Sequence, residues 1–170
     1  MPIITLETRI TAAIETCFDL SRSIDLHQIS TAQTHEKAIA GTISGLIDLG
    51  ETVTWEAKHF GVIQQLSSKI TAMNSPFHFR DEQVRGVFRS MVHDHFFEQQ
   101  GEVVIMKDTF RFESPCGFAG RIFNSFFLKR YLTKVLVERN AIIRNYAENG
   151  KAQEVLQIPK RQIELEILEH

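Results

Sequence analysis

The chain has 170 residues, 43% hydrophobic and 24% charged, the make-up of an ordinary globular domain rather than of a disordered or fibrous segment. A formal net charge of −2 supplies no overall positive field for nucleic acid or an anionic membrane. Two cysteines, Cys17 and Cys116, cannot build a disulfide framework, and no run approaches the ~20 apolar residues of a membrane span, so the expectation is a reduced, cytoplasmic protein without integral membrane association.

Ile4, Leu6, Thr8 and Ile10 alternate with Thr5, Glu7 and Arg9, which predicts a half-buried strand and not the apolar core of a signal peptide. Thr11 stands as N-cap to a helix carrying Ile14, Cys17 and Phe18, and Ser23 as N-cap to a second short helix with Ile24, Leu26 and His27. Residues 30–45 are rich in Thr and Ser, contain Gly41 and Gly45, and read as a loop with one helical turn near Lys37. Beyond the turn Asp48-Leu49-Gly50-Glu51, residues 52–60 alternate cleanly, with Val53, Trp55, Ala57 and His59 on the face expected inside. Gly61 breaks that strand, and residues 62–73 give the next, with Leu66, Ile70 and Ala72 on one side. Asn74-Ser75-Pro76 is a turn by composition. Strands follow at 77–85 and 88–98, separated by a bend or bulge at Gly86, and Gln99-Gln100-Gly101 turns the chain into a last one at 102–112. The pattern is a meander of about five antiparallel strands.

Ser114-Pro115-Cys116-Gly117 stops the sheet. From Phe118 to Asn149 neither Gly beyond Gly120 nor Pro interrupts an apolar face containing Ile122, Phe126, Tyr131, Val135, Leu136, Ile143 and Tyr146, which predicts one long helix. Arg121, Lys129, Arg130, Lys134, Arg139 and Arg144 form its basic face, read as solvated. Asn149-Gly150-Lys151 ends the helix, and in the tail Ile163, Leu165 and Ile167 alternate with Glu164 and Glu166 as a strand or an interaction segment. A strand, two short helices, a meander and a long helix make an α+β domain: a curled antiparallel sheet of six to seven strands with the helix across its concave side, and a ligand cavity in the gap between them.

Four stretches are identifiable beyond their periodicity. The run from Gly45 through Trp55-Glu56-Ala57-Lys58-His59 to Gly61 resembles a strand hairpin of the START-like superfamily, and more narrowly its polyketide cyclase (SRPBCC) branch, whose helix-grip fold is shared with the birch pollen allergen. Phe79-Arg80-Asp81-Glu82-Gln83-Val84-Arg85-Gly86-Val87-Phe88, His93-Asp94-His95-Phe96-Phe97 and the opening from Ile10 to Leu20 are similar to the same branch. The resemblance implies a START-like ligand-binding domain over residues 1–150, with residues 151–170 as a C-terminal tail outside it. It speaks to fold more than to function, because lipid carriers, quinone chaperones, aromatase-cyclases and hormone receptors share the architecture.

Strand parity gathers the polar candidates. His59 shares a face with Trp55; His93 and His95 with Met91 and Phe97; Asp108 with Val104, Met106, Phe110 and Phe112; Asp81, Gln83 and Arg85 with Phe77 and Phe79, unless a bulge near Gly86 reverses them. Three readings stay open: a mutually satisfied polar network, groups that orient a ligand, or proton transfer by His59, His93 or Asp108 in a cyclase- or dehydratase-type enzyme. The chain lacks a catalytic set as distinctive as that of the aromatase-cyclases. His93 and His95 also have metal-ligand spacing with His59 as a third donor, but Asp94 points away and no metal is expected. Cys17 reads as a buried structural thiol, while Cys116, at a helix start, has a setting that lowers a thiol pKa. No glycine-rich phosphate motif is present, and no cofactor is expected.

Thirteen Phe against two Tyr and one Trp suit an apolar, ring-lined space. Trp55, His59, Phe79, Gln83, His93, His95, Met106 and Phe110 are the expected walls, with Phe123 and Phe127 from the helix and a mouth within residues 30–45. The resulting expectation is a protein that binds a lipid, quinone or polyketide-like molecule and no nucleic acid. The alternatives are the enzyme above and a ligand-free interaction module, including a homodimer, that pairs through its tail.

Overall fold

The computed structural model describes residues 1–59, 61–113 and 127–164. The proposed sheet stop at 114–117, with Cys116, the helical residues 118–126, with Phe123, and the end of the tail at Leu165 and Ile167 lie outside them.

Strand β1 (Ile3–Thr11) leads into helices α1 (Ile14–Ser21) and α2 (Ile24–Ser30) and a 3-10 turn (Ala32–Thr34). Six strands follow as a meander: β2 (Lys37–Ser44), β3 (Thr52–His59), β4 (Val62–Asn74), β5 (His78–Arg85), β6 (Ser90–Gln100) and β7 (Val103–Glu113). Helices α3 (Lys129–Glu148) and α4 (Ala152–Leu156) and a short strand β8 (Arg161–Ile163) complete the described chain. One curved sheet runs β1-β7-β6-β5-β4-β3-β2-β8, every neighbour antiparallel. The expected α+β helix-grip architecture is present, with two short helices after the first strand and a long helix across the sheet.

The sheet has eight strands because the section read as a loop supplies β2 and the tail supplies β8. The sequence disguises β2. Its buried residues are Ala40, Thr42 and Ser44, at most 1% exposed but too small or polar to mark a core face. A bulge between Ala38 and Ala40 also breaks the alternation. Gly41 adopts φ +71°, and a Cβ there would lie 2.1 Å from the Thr52 carbonyl oxygen, so close strand approach demands glycine. Thr11 is the last residue of β1 and donates its N–H to Glu148 Oε1, while Ala13 occupies the cap position of α1. Ser23 caps α2 as expected, accepting from the Leu26 N–H at 3.2 Å.

Helix α1 covers one part of the concave face. Phe18, 1% exposed, meets Phe79 and Phe97 edge-on at 5.5 and 5.6 Å, a geometry that adds to the ~1.5–3 kcal/mol gained by burying such a side chain. Cys17 is fully buried there, and burial raises its thiol to about 12, with Glu148 adding to the shift, which makes it inert at neutral pH. Helix α3 buries Leu136, Arg139, Asn140 and Ile143. Arg139, expected on a solvated basic face, is only 5% exposed: positions 132, 136, 139 and 143 fall on one side of a 3.6-residue helix. The tail packs too, with Ala152 and Val155 in the main core and Lys160 Nζ paired with Asp48 Oδ2 at 2.6 Å and Glu51 Oε1 at 3.0 Å. No helix among the described residues is long and apolar enough to cross a membrane.

Candidate functional site: a cavity between sheet and helix

The part of the concave face that α1 does not cover holds a cavity of about 380 Å³. Among the described residues its apolar walls include Val53, Trp55 and Ala57 from β3, Leu66 and Ile70 from β4, Phe79 from β5, Met91 from β6, Phe110 from β7, and Leu128, Leu132, Val135 and Leu136 from the helical side. Period-two strands and a 3.6-period helix direct these residues inward.

A row of rings crosses the floor. Phe79 stacks on His95 at 4.2 Å, His95 lies 3.8 Å from His93, and His93 meets Phe110 edge-on at 5.1 Å. Behind the imidazoles sits Asp108, fully buried. His93 Nε2 lies 2.9 Å from Asp108 Oδ1 in a hydrogen bond. His95 Nδ1 is also 2.9 Å from that oxygen, off the line of a well-formed bond. Asn140 Nδ2 donates to Oδ2 at 2.6 Å, and Arg139 Nη1 stands 3.7 Å from Oδ1. Arg139 also donates to the Ser21 carbonyl at 2.9 Å and to Asn140 Oδ1 at 3.2 Å, so one cluster ties α3 to α1 and to β7.

Charge in the floor follows from these contacts. Burial opposes ionisation of Asp108, but the contacts with His93 and His95 outweigh it and hold the carboxyl well below its ordinary range. Burial, with His93 beside it, pushes the His95 imidazolium down to about 3, so His95 is neutral at physiological pH. Burial lowers Arg139 from its usual value while Asp108 and Asp81 act against that shift. Arg139 and Asp108 therefore stand as a compensated buried pair.

A second polar group lines the cavity nearer α2. His27 stacks on Trp55 at 4.2 Å with its Nε2 3.4 Å from Glu36 Oε2. His59 Nδ1 and the Tyr131 hydroxyl are 2.8 Å apart. Burial opposes the Glu36 charge, yet His27 and His59 keep its carboxyl below the ordinary value. Burial lowers His59, against the pull of Glu36.

Of the residues expected as walls, Trp55, His59, Phe79, His93, His95 and Phe110 line the cavity together. Gln83, Met106 and Phe127 are not among its lining residues. The Gln83 amide turns back on the β5–β6 loop, donating to the Phe88 carbonyl at 2.7 Å and accepting its N–H at 3.2 Å. Met106 has the right parity but lies in the core beneath α1, where Ser21 Oγ approaches its sulfur at 3.4 Å. Phe127 is 53% exposed. Asp108 braces the imidazoles from behind and does not line the cavity. Arg85 is exposed, whereas Asp81 does line the space. Of residues 30–45 only Thr31 and Glu36 line it, so β2 occupies most of the section expected to form a mouth.

The sequence reading missed His27, Glu36, Tyr131 and Arg139. Tyr131 and Arg139 stand at helical spacing with Val135 and Leu136, which was a usable signal. His27 is three residues from Ile24 on α2, and Glu36, between the 3-10 turn and β2, had none.

His93, His95 and Asp108 place one donor atom each within 4.8 Å of one another, a two-imidazole, one-carboxylate set of the type that holds divalent cations. The guanidinium 3.7 Å from the same carboxylate oxygen and the amide on the other already compensate that carboxylate. The set therefore fits an internal ion pair better than a metal ion.

No protein-family model and no curated protein matches the chain. Solved structures do. A protein of Thermus thermophilus is similar with a TM-score of 0.66 at 14% identity, covering 84% of this chain and 97% of that one. A START superfamily protein from Mycobacterium smegmatis gives 0.65 at 8% identity over 86% and 97%. Major latex-like protein 151 of Panax ginseng gives 0.63 at 15% identity, again over 86% and 97%. The fold is START-like. At these identities the likeness concerns the backbone, and within the START-like frame the polar floor and the Glu36 group are features of this chain's own side chains.

Proposed function

We propose that this protein binds a hydrophobic small molecule, of lipid, quinone or polyketide-like character, in the cavity between its sheet and α3, and acts as a cytoplasmic carrier or sensor of that molecule. The observation that carries the reading is the cavity itself: about 380 Å³, walled by Trp55, Phe79, Met91, Phe110, Leu132 and Leu136. Small-molecule sites commonly enclose roughly 300–1,000 Å³ with mostly apolar walls and a few polar groups that orient the guest. A START-like backbone supports the reading, since the resemblance drawn from the sequence implies a ligand-binding domain of this fold.

The experiment uses N-phenyl-1-naphthylamine, an uncharged dye that brightens in apolar surroundings. The expected result is one saturable site per chain, suppressed in Ala57→Phe, whose ring would occupy the space beside Trp55. No enhancement, or equal enhancement in the filled variant, would overturn the proposal.

A second reading, proton-transfer catalysis on a carbonyl substrate, is favoured by the imidazole of His93 lining the cavity with an ionised Asp108 behind it. His93→Ala separates the two: a carrier loses affinity, whereas an enzyme keeps binding and loses turnover.

A further inference from the structure

The polar groups that reach the cavity differ in how fully they are already engaged. Arg22 is bound to Asp19, Asp48 and the Ile47 carbonyl. Arg139 is bound to Ser21, Asn140 and Asp108. His27 faces Glu36, His59 bonds Tyr131, and His93 and His95 lie against Asp108. Asp81 stands apart. It lines the cavity from β5 and takes part in no ion pair among the described residues. Burial raises its carboxyl above the ordinary value, and the nearby Ser68 hydroxyl acts against that rise. The two groups nevertheless miss hydrogen-bonding geometry: Asp81 Oδ1 and Ser68 Oγ are both fully enclosed and both without a partner. Oδ1 is therefore closed to a guest, and the other carboxyl oxygen, which is not enclosed and has no hydrogen-bond partner among the described residues, is the one Asp81 presents to the cavity.

We infer that Asp81 is the anchor for the polar end of the guest, and that this end is an uncharged hydroxyl. The inference rests on the proposed binding of a hydrophobic molecule and names the chemistry of its polar group. A hydroxyl both donates and accepts, so it satisfies a carboxyl in either protonation state. A ligand carboxylate would set two acids side by side in a space of low polarity, which forces one to keep a proton. The basic groups around Asp81 offer it no free partner, because Arg139, His93 and His27 are each engaged by Asp108 or Glu36. A ligand ammonium would meet Asp81 but would sit among those same basic groups. The neutral hydroxyl is the polar end that fits.

The test titrates the protein with 1-decanol and with decanoate, following the emission of Trp55, the single tryptophan, which lies in the cavity wall. Three proteins are compared: wild type, Asp81→Ala and Asp81→Asn, the last preserving shape and hydrogen-bonding capacity. Wild type is expected to prefer decanol, and Asp81→Ala to narrow that preference about tenfold, the effect of one hydrogen bond of ~1.4 kcal/mol. Asp81→Asn is expected to retain it. An Asp81→Ala preference equal to that of wild type, or tighter binding of decanoate than decanol by wild type, would overturn the Asp81 assignment while leaving the cavity reading standing. Failure of wild type to bind either compound would overturn both. Should Asp81→Ala fail to fold, Asp81→Leu takes its place in the same comparison.

Discussion

Replacing Asp108 by Asn tests whether the floor of the cavity is held together by a compensated buried charge. The substitution keeps the shape of the side chain and removes its charge. Arg139, 5% exposed and 3.7 Å from Asp108 Oδ1, then remains in the core without its counter-charge, and His93 and His95 lose the ionised acceptor 2.9 Å away. Removing one partner of a buried pair costs about 3–5 kcal/mol, because the other charge is left desolvated and unpaired. That is a large share of the ~5–15 kcal/mol by which a domain of this kind is stable. Equilibrium urea unfolding of wild type, Asp108→Asn, Arg139→Met and the double variant forms a complete cycle. The double variant should cost less than the two singles added together by at least about 2 kcal/mol, since it removes the orphaned charge as well as the pair. A loss below about 1 kcal/mol for Asp108→Asn, or strict additivity in the cycle, would refute the reasoning.

Further expectations follow from the same contacts. His95 is neutral in the fold down to about pH 3 but takes up a proton below pH 6.5 once unfolded, so its depressed value makes stability fall as pH drops from 6.5 toward 3; pH-dependent urea unfolding should show this slope, and His95→Phe should flatten it. Asp108, also depressed, contributes stability above the ordinary carboxylate range that is lost in stronger acid, so the His95→Phe curve should still fall at the acid end. Gly41→Ala should cost at least about 2 kcal/mol in thermal or urea unfolding, from a left-handed backbone and a Cβ 2.1 Å from the Thr52 carbonyl; a neutral effect would mean that β2 and β3 do not approach as described. Ending the chain at Gly150 should destabilise it by about 2 kcal/mol or more, because Val155 is 3% exposed in the core; unchanged unfolding with altered mass in solution would instead support an interaction tail.

The fold was legible where patterning was strong. Trp55 with its period-two neighbours, the turn at Gln99-Gln100-Gly101 and the helix through Ile143 each stand where periodicity put them. Strand β2 was not legible, because Ala40, Thr42 and Ser44 fill its buried positions with side chains that carry no hydrophobic signal and a bulge interrupts the alternation. The site was legible as parity and no further. Parity aimed His93, His95, Phe79 and Phe110 inward, and they line the cavity; it aimed Met106 inward equally well, but α1 fills the space over that residue. Gln83 has the parity of Asp81, yet its amide is used by the β5–β6 loop. Arg139 was assigned to solvent by its residue type, although its helical position assigns it to the core. What parity cannot supply is depth along the concavity and the partners that each polar atom finds, and those two quantities single out Asp81.

Native mass spectrometry of the protein purified from its own host, followed by denaturing extraction, is the most direct test of the central claim. The account predicts a stoichiometric apolar adduct whose polar end is a hydroxyl. A bare chain mass with nothing in the extract would contradict the carrier reading.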